Sequence, residues 1–197
     1  MIDTHTHIDG EEFSRDLDEV VERAKAEGVK AVFLPNIDEH SLDAMADACT
    51  RYPDFCFPMY GLHPTEVRDD YIDQLEAIFA RAENDSRMIA VGEIGLDLYW
   101  TRAMAQQQAN AFRRQVEYAI THYLPMSINV RGAFPLMFEI FSHFDSASLV
   151  GSLHCFSGTR EDAERIVAQY PNLMFGVNGT FTYKKSPLPE IFSSVIP

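Results

Sequence analysis

Residues 1–35 read MIDTHTHIDGEEFSRDLDEVVERAKAEGVKAVFLP, and the rest of the chain repeats the pattern they set. A short run at Met1–His5 and a second at Lys30–Leu34 read as strands. Between them Leu17, Val20, Val21 and Ala24 recur at helical spacing, Asp16 and Glu19 stand at capping-box distance, and Gly28 suits the position just past a helix C-terminus. The unit is strand, helix, strand, and its repetition predicts an α/β fold.

Five further apolar runs follow, near Phe55–Tyr60, Met88–Glu93, Met126–Val130, Leu149–His154 and Leu173–Val177. Helical stripes lie between them at Leu42, Met45 and Cys49, at Ile72, Leu75, Ile78 and Phe79, and from Met104 to Tyr123. Alternation alone permits either an open doubly wound sheet or a closed barrel. Polar placement favours the barrel: His5, Glu93 and His154 each end a predicted strand, and parallel barrels gather chemistry on the face where strand C-termini meet. No glycine-rich phosphate-binding turn follows the first strand, which argues against dinucleotide or P-loop binding.

At 197 residues and 46% hydrophobic composition the chain is expected to form one domain, residues 1–197. Its 30 acidic and 16 basic residues give a formal net charge of −14, which opposes a broad electrostatic grip on duplex nucleic acid. A phosphate-bearing substrate would therefore need bound cations for local positive charge. Cys49, Cys56 and Cys155 are odd in number and lack Cys-x-x-Cys spacing, which fits a reduced, cytoplasmic setting. No apolar run is long enough to span a bilayer.

Four short segments carry candidate chemistry. In DTHTH, Asp3–His7, the two imidazoles project to one side of an extended chain, where they can chelate a divalent ion or simply be surface groups, with Asp3 behind them as an acceptor. In VGEIGLDLYW, Val91–Trp100, Glu93 can bridge two cations or accept hydrogen bonds at a loop entrance, and Asp97 reads as a structural acceptor. In LHCFSG, Leu153–Gly158, His154 closes a strand and Cys155, on the opposite face, is expected in the core. In YGLHP, Tyr60–Pro64, His63 can touch a phosphate or cap the next segment, while His40, His122 and His143 read as surface residues.

Together these segments resemble the TatD family. DTHTH is similar to its Asp-x-His-x-His opening, YGLHP to Gly-x-His-Pro, VGEIGLD to Gly-Glu-x-Gly-Leu-Asp, and LHCFSG to His-Cys-Phe-Ser-Gly, in the family's order. The resemblance implies a TIM-like β/α barrel, two divalent metal ions (Mg²⁺, Mn²⁺ or Zn²⁺), and hydrolysis of DNA phosphodiesters by metal-activated water. By the same implication His5 and His7 bind the first metal, Glu93 bridges, His154 binds the second, and His63 holds phosphate, with Glu93 and His63 as the catalytic pair. DNA ends or a small phosphodiester would be the substrate.

Two departures shape the expectation. PMSINVR puts Asn129 where the family has a second-metal histidine, and a neutral amide is the weaker ligand for zinc-like ions. The chain also stops at FSSVIP, before the family's Glu-Thr-Asp segment, so the barrel is expected to lack its eighth strand and last helix. Open edges at the first and seventh strands would then invite self-association. The alternative is a weakly active or inactive relative that binds phosphate-bearing ligands. A related amidohydrolase acting on C–N or C–O bonds is disfavoured by LHCFSG and VGEIGLD.

Overall fold

The computed structural model describes residues 1–195. Strands and helices alternate as β1 (Ile2–Asp3), α1 (Leu17–Ala26), β2 (Ala31–Pro35), α2 (Leu42–Arg51), β3 (Cys56–Tyr60), α3 (Tyr71–Ala82), β4 (Ala90–Asp97), α4 (Ala105–Thr121), β5 (Met126–Arg131), α5 (Phe134–Phe141), β6 (Gly151–His154), α6 (Arg160–Gln169), β7 (Leu173–Phe175) and α7 (Leu188–Val195). Every neighbouring pair in the order β1-β2-β3-β4-β5-β6-β7 is parallel. All seven expected strands are present, and among the described residues no ladder joins β7 back to β1.

The sheet is strongly curled. Five strand spacings separate β1 from β6, about 24 Å in a flat sheet. Yet the rings of His5, just past β1, and His154, at the end of β6, stack with centroids 3.4 Å apart. Curling of this kind turns one face of the sheet inward as a barrel does, so the TIM-like reading holds without an eighth strand.

Every residue of β4 is buried, as befits a central parallel strand covered on both faces. The strand runs on to Asp97 rather than ending at Glu93, and its register against β5 shifts between Val91 and Ile94. Glu93 therefore projects from an irregularity inside the strand, which corrects the strand-end placement. Around β5 and β6 the core is aromatic: Phe156 and Phe175 meet Phe192 of α7 at centroid distances of 5.8 and 5.3 Å. Burying a side chain of that size stabilises by roughly 1.5–3 kcal/mol, which docks α7 against the strands.

Helix α1 ends as read. Gly28 has φ +83°, and the Gly28 and Val29 amides donate back to the Lys25 and Ala24 carbonyls at 3.0 Å each. Its start differs. Asp16 sits at ψ 20° and its side chain caps nothing, because an N-cap carboxylate folds back onto the helix from an extended backbone. The capping box forms instead at Thr159 and Asp162, where Thr159 is extended at ψ 175°.

Gly151 opens β6 at φ +151°, where an added Cβ would lie 2.1 Å from the Met126 carbonyl oxygen; Gly28 has positive φ but nothing within 4 Å. Gly151→Ala is thus expected to cost more than about 3 kcal/mol, or to prevent folding, and Gly28→Ala only about 1 kcal/mol. Urea denaturation of the two variants checks this, and equal losses would contradict the register described.

Candidate metal centre

The curl delivers side chains from four strands to one point. His5 Nε2 lies 3.1 Å from Glu93 Oε2, His7 Nε2 3.8 Å from the same oxygen, and His63 Nε2 3.6 Å from Glu93 Oε1. Donor atoms of His5, Glu93 and His154 all fall within 4.8 Å of one another. One buried carboxylate thus faces three imidazoles, with a fourth ring stacked on the first.

Burial alone would raise the Glu93 carboxyl, but hydrogen bonds from His5 and His63, and the electrostatic attraction of those rings, outweigh it and hold the group well below the usual carboxylate range. Glu93 is therefore ionised. His154 is also lowered, which in an imidazole favours the neutral form: burial and the nearby His5 push it from its ordinary 6.5 down to about 4. His7 is lowered as well, first by burial and then by His5. An ionised carboxylate with the His7 and His154 imidazoles biased toward the neutral form is the protonation state that cation binding favours.

Each ring is oriented by a neighbour. His5 Nδ1 sits 3.0 Å from Ser127 Oγ on β5. His63 Nδ1 accepts from the Thr65 amide at 3.2 Å, which places the proton of the neutral ring on Nε2, facing Glu93. His63 therefore caps the short turn Pro64–Glu66 and also reaches the centre, so its two readings are compatible. Asn129 pairs in register with His154, and its Nδ2 is buried without a partner.

Three readings from sequence are corrected. Asp3 does not orient an imidazole; it is exposed and accepts from the His5 backbone amide at 3.2 Å, because β1 ends at Asp3 and the chain turns there. Cys155 is not in the core. It lies past the end of β6 at φ +48°, half-buried, with Sγ 2.9 Å from His154 Nε2, since leaving the strand ends the alternation of faces. Glu93, as above, lies within β4. Asp97 is a structural acceptor as expected, taking the Tyr99 amide at 3.1 Å, and His40, His122 and His143 are exposed.

Several supporting residues were not foreseen. Asn36, fully buried after β2, accepts the Glu93 amide on its carbonyl at 3.1 Å, while its Nδ2 donates to the Asp38 and Gly61 carbonyls. Gln115 of α4 clamps both backbone groups of Leu62, and Gln108 does the same for Asp97. A lone Asn following an apolar strand, and glutamines on the inward face of a helical stripe, were the available signals.

The model of the TatD-related DNase family matches residues 2–195. The chain belongs to that family. A metal-dependent hydrolase of Bacillus subtilis, YabD, is 30% identical over 197 residues, covering 100% of this chain and 76% of its own. The 3'-5' ssDNA/RNA exonuclease TatD of Salmonella typhimurium is 29% identical over 179 residues, covering 91% and 67% respectively. Among solved structures, YJJV, a TatD homolog from Escherichia coli, matches with a TM-score of 0.88 at 27% identity, covering 100% of this chain and 75% of that one. This TatD-family member is a metal-dependent hydrolase, and no helix among its described residues is long and apolar enough to cross a membrane.

The pH dependence of the metal-free chain follows from these shifts. The unfolded chain takes up a proton at His154 near 6.5 and the folded chain only near 4, so stability is full above that window and falls as pH drops through it. Below the ordinary carboxyl value of 4.5 the depressed Glu93 adds a further loss of the same sign. Urea midpoints are expected to decline between about pH 6.5 and 4, and less steeply for His154→Asn. A midpoint independent of pH across that range would refute the buried neutral imidazole.

Proposed function

We propose that the chain hydrolyses phosphodiester bonds of DNA at this centre, using two divalent cations. In this reading His5 and His7 hold the first, Glu93 lies between the two, Asn129 and His154 hold the second, and His63 holds phosphate. The observation that carries it is the convergence of His5, Glu93 and His154 donor atoms within 4.8 Å, with Glu93 ionised.

The residues present fit such ions. Glu93 offers two oxygens directed at different imidazoles, and Ser127 fixes the His5 ring by its far nitrogen, leaving Nε2 toward the carboxylate. The Asn129 Nδ2 is buried and unpartnered beside His154 in the β5–β6 register; with its amide reversed, Asn129 would have an oxygen to offer a cation. Divalent cations bound there would supply Lewis-acid polarisation of the phosphoryl group and an activated water. His63 can donate its Nε2 proton to a non-bridging phosphate oxygen.

The 3'-5' ssDNA/RNA exonuclease names of several relatives support a nucleic-acid substrate. A chain of net charge −14 gains little from long-range attraction to a polyanion, so the cations would carry the local binding. The neutral Asn129 favours a second reading, in which the site binds phosphate-bearing ligands with little turnover.

Two measurements decide between them. Short single-stranded DNA incubated with Mg²⁺, Mn²⁺ or Zn²⁺ is expected to release nucleotides, and Glu93→Ala to lower the rate by more than about 100-fold, beyond what loss of an outer partner costs. No release with any of the three would leave the binding reading. In calorimetric titration one cation is expected to bind more weakly than the other, and Asn129→His to tighten the weaker step by about 10-fold or more, as imidazole replaces an amide. An unchanged weak step would place Asn129 outside the ligand set.

A further inference from the structure

The rim beyond the centre carries a feature that hydrolysis of a phosphodiester does not itself require. Past β4 the chain runs Leu98, Tyr99, Trp100, and both aromatic side chains stand largely in solvent, Trp100 at 74% exposure. The two rings meet edge to face at 4.8 Å. The Arg131 guanidinium, at the end of β5, lies 3.9 Å from the Tyr99 centroid and 5.3 Å from that of Trp100. Backbone contacts fix the arrangement: the Leu98 amide donates to the Arg131 carbonyl at 2.9 Å and the Tyr99 amide to Asp97 Oδ1 at 3.1 Å.

Arg131 faces the same side of β5 as the centre. Along that strand Met126, Ile128 and Val130 join the core, whereas Ser127 touches His5 and Asn129 adjoins His154. Arg131 continues the second line, about 7 Å beyond Asn129. Arg87 and Arg160 hold carboxylates at 2.8 Å, but among the described residues no carboxylate lies within 4.0 Å of Arg131. An unpaired guanidinium on a chain so rich in acid, held flat against an exposed aromatic pair, matches a ligand that is both anionic and planar.

We propose that Tyr99, Trp100 and Arg131 form a stacking site for the unpaired bases of a single-stranded nucleic acid whose backbone enters the neighbouring centre. The inference rests on the phosphodiesterase reading and adds to it the place where the bases of such a substrate would lie. An indole face accepts any base, while the guanidinium adds charge for the adjoining phosphate. Bases inside a duplex are stacked on one another and would have to be extruded first, so duplex is disfavoured.

Trp100 is the chain's one tryptophan, so its fluorescence reports this site alone. With chelator present to prevent cleavage, short single-stranded DNA and RNA are expected to quench it saturably, and an abasic phosphodiester chain of equal length is not. Anisotropy of a labelled oligonucleotide is expected to show roughly 10-fold weaker binding for Trp100→Ala and near-parent binding for Trp100→Phe. Trp100 is exposed, so neither change should disturb folding, and metal-dependent hydrolysis of the abasic phosphodiester chain, which has no planar group to stack, should be unaffected in both. Equal quenching by the abasic chain, or equal oligonucleotide affinity in Trp100→Ala, overturns the stacking site. Failure of the underlying phosphodiesterase reading is seen separately, as no hydrolysis of the abasic chain with any divalent ion.

Discussion

A buried, ionised carboxylate must be compensated from several directions at once, and Glu93 is compensated by groups that lie far apart in sequence. Its partners come from the segments after β1 and β3, at distances of 3.1 to 3.8 Å. No flat sheet could bring them there. The curl of the seven parallel strands is therefore inseparable from the electrostatics of the centre: it draws His5 onto His154 and encloses Glu93 among imidazoles. Removing one partner from such a cluster leaves the remaining charge buried and unmatched, which is why it holds together as a unit.

Around that cluster the fold spends its buried polar groups on positioning. Asn36 ties the ends of β2 and β3 to Gly92 and Glu93 inside β4 through its backbone and side chain. Gln108 and Gln115 reach down from α4 to satisfy backbone groups of Asp97 and Leu62, segments that leave the sheet and would otherwise bury unpaired amides and carbonyls. Ser127 does the corresponding work for the His5 ring. Each is a short neutral side chain making the hydrogen bonds its site offers, so each adds rigidity without adding charge.

The acidic balance of the chain and the chemistry of its rim fit one another. A surface of net charge −14 does not attract polyanions at long range. Under the proposed reading, recognition of a nucleic acid would come from short-range contacts: cations in the centre, and planar groups such as Trp100 and Arg131 beside it. Such contacts favour a flexible single strand that can follow the pocket over a stiff duplex held by its phosphates.

The strands, the first four helices and the family were legible in the sequence, because period-two and period-3.6 patterning and short motifs are local properties. His5, His7, Glu93, His154 and His63 could be chosen from the motifs for the same reason. What the sequence could not fix was set by backbone direction at element ends and by contacts across the sheet. Asp16 misses its cap because of its ψ angle, Cys155 turns toward His154 once β6 has ended, Asp3 bonds to an amide where β1 stops, and Glu93 projects from a register shift inside β4. Asn36, Ser127, Gln108 and Gln115 carry no motif, and they acquire their roles only when the curled sheet brings backbone groups from other strands within hydrogen-bond reach. Residue type and spacing determined which groups were available for the centre; the curvature of the parallel sheet, a long-range property, decided which of them meet.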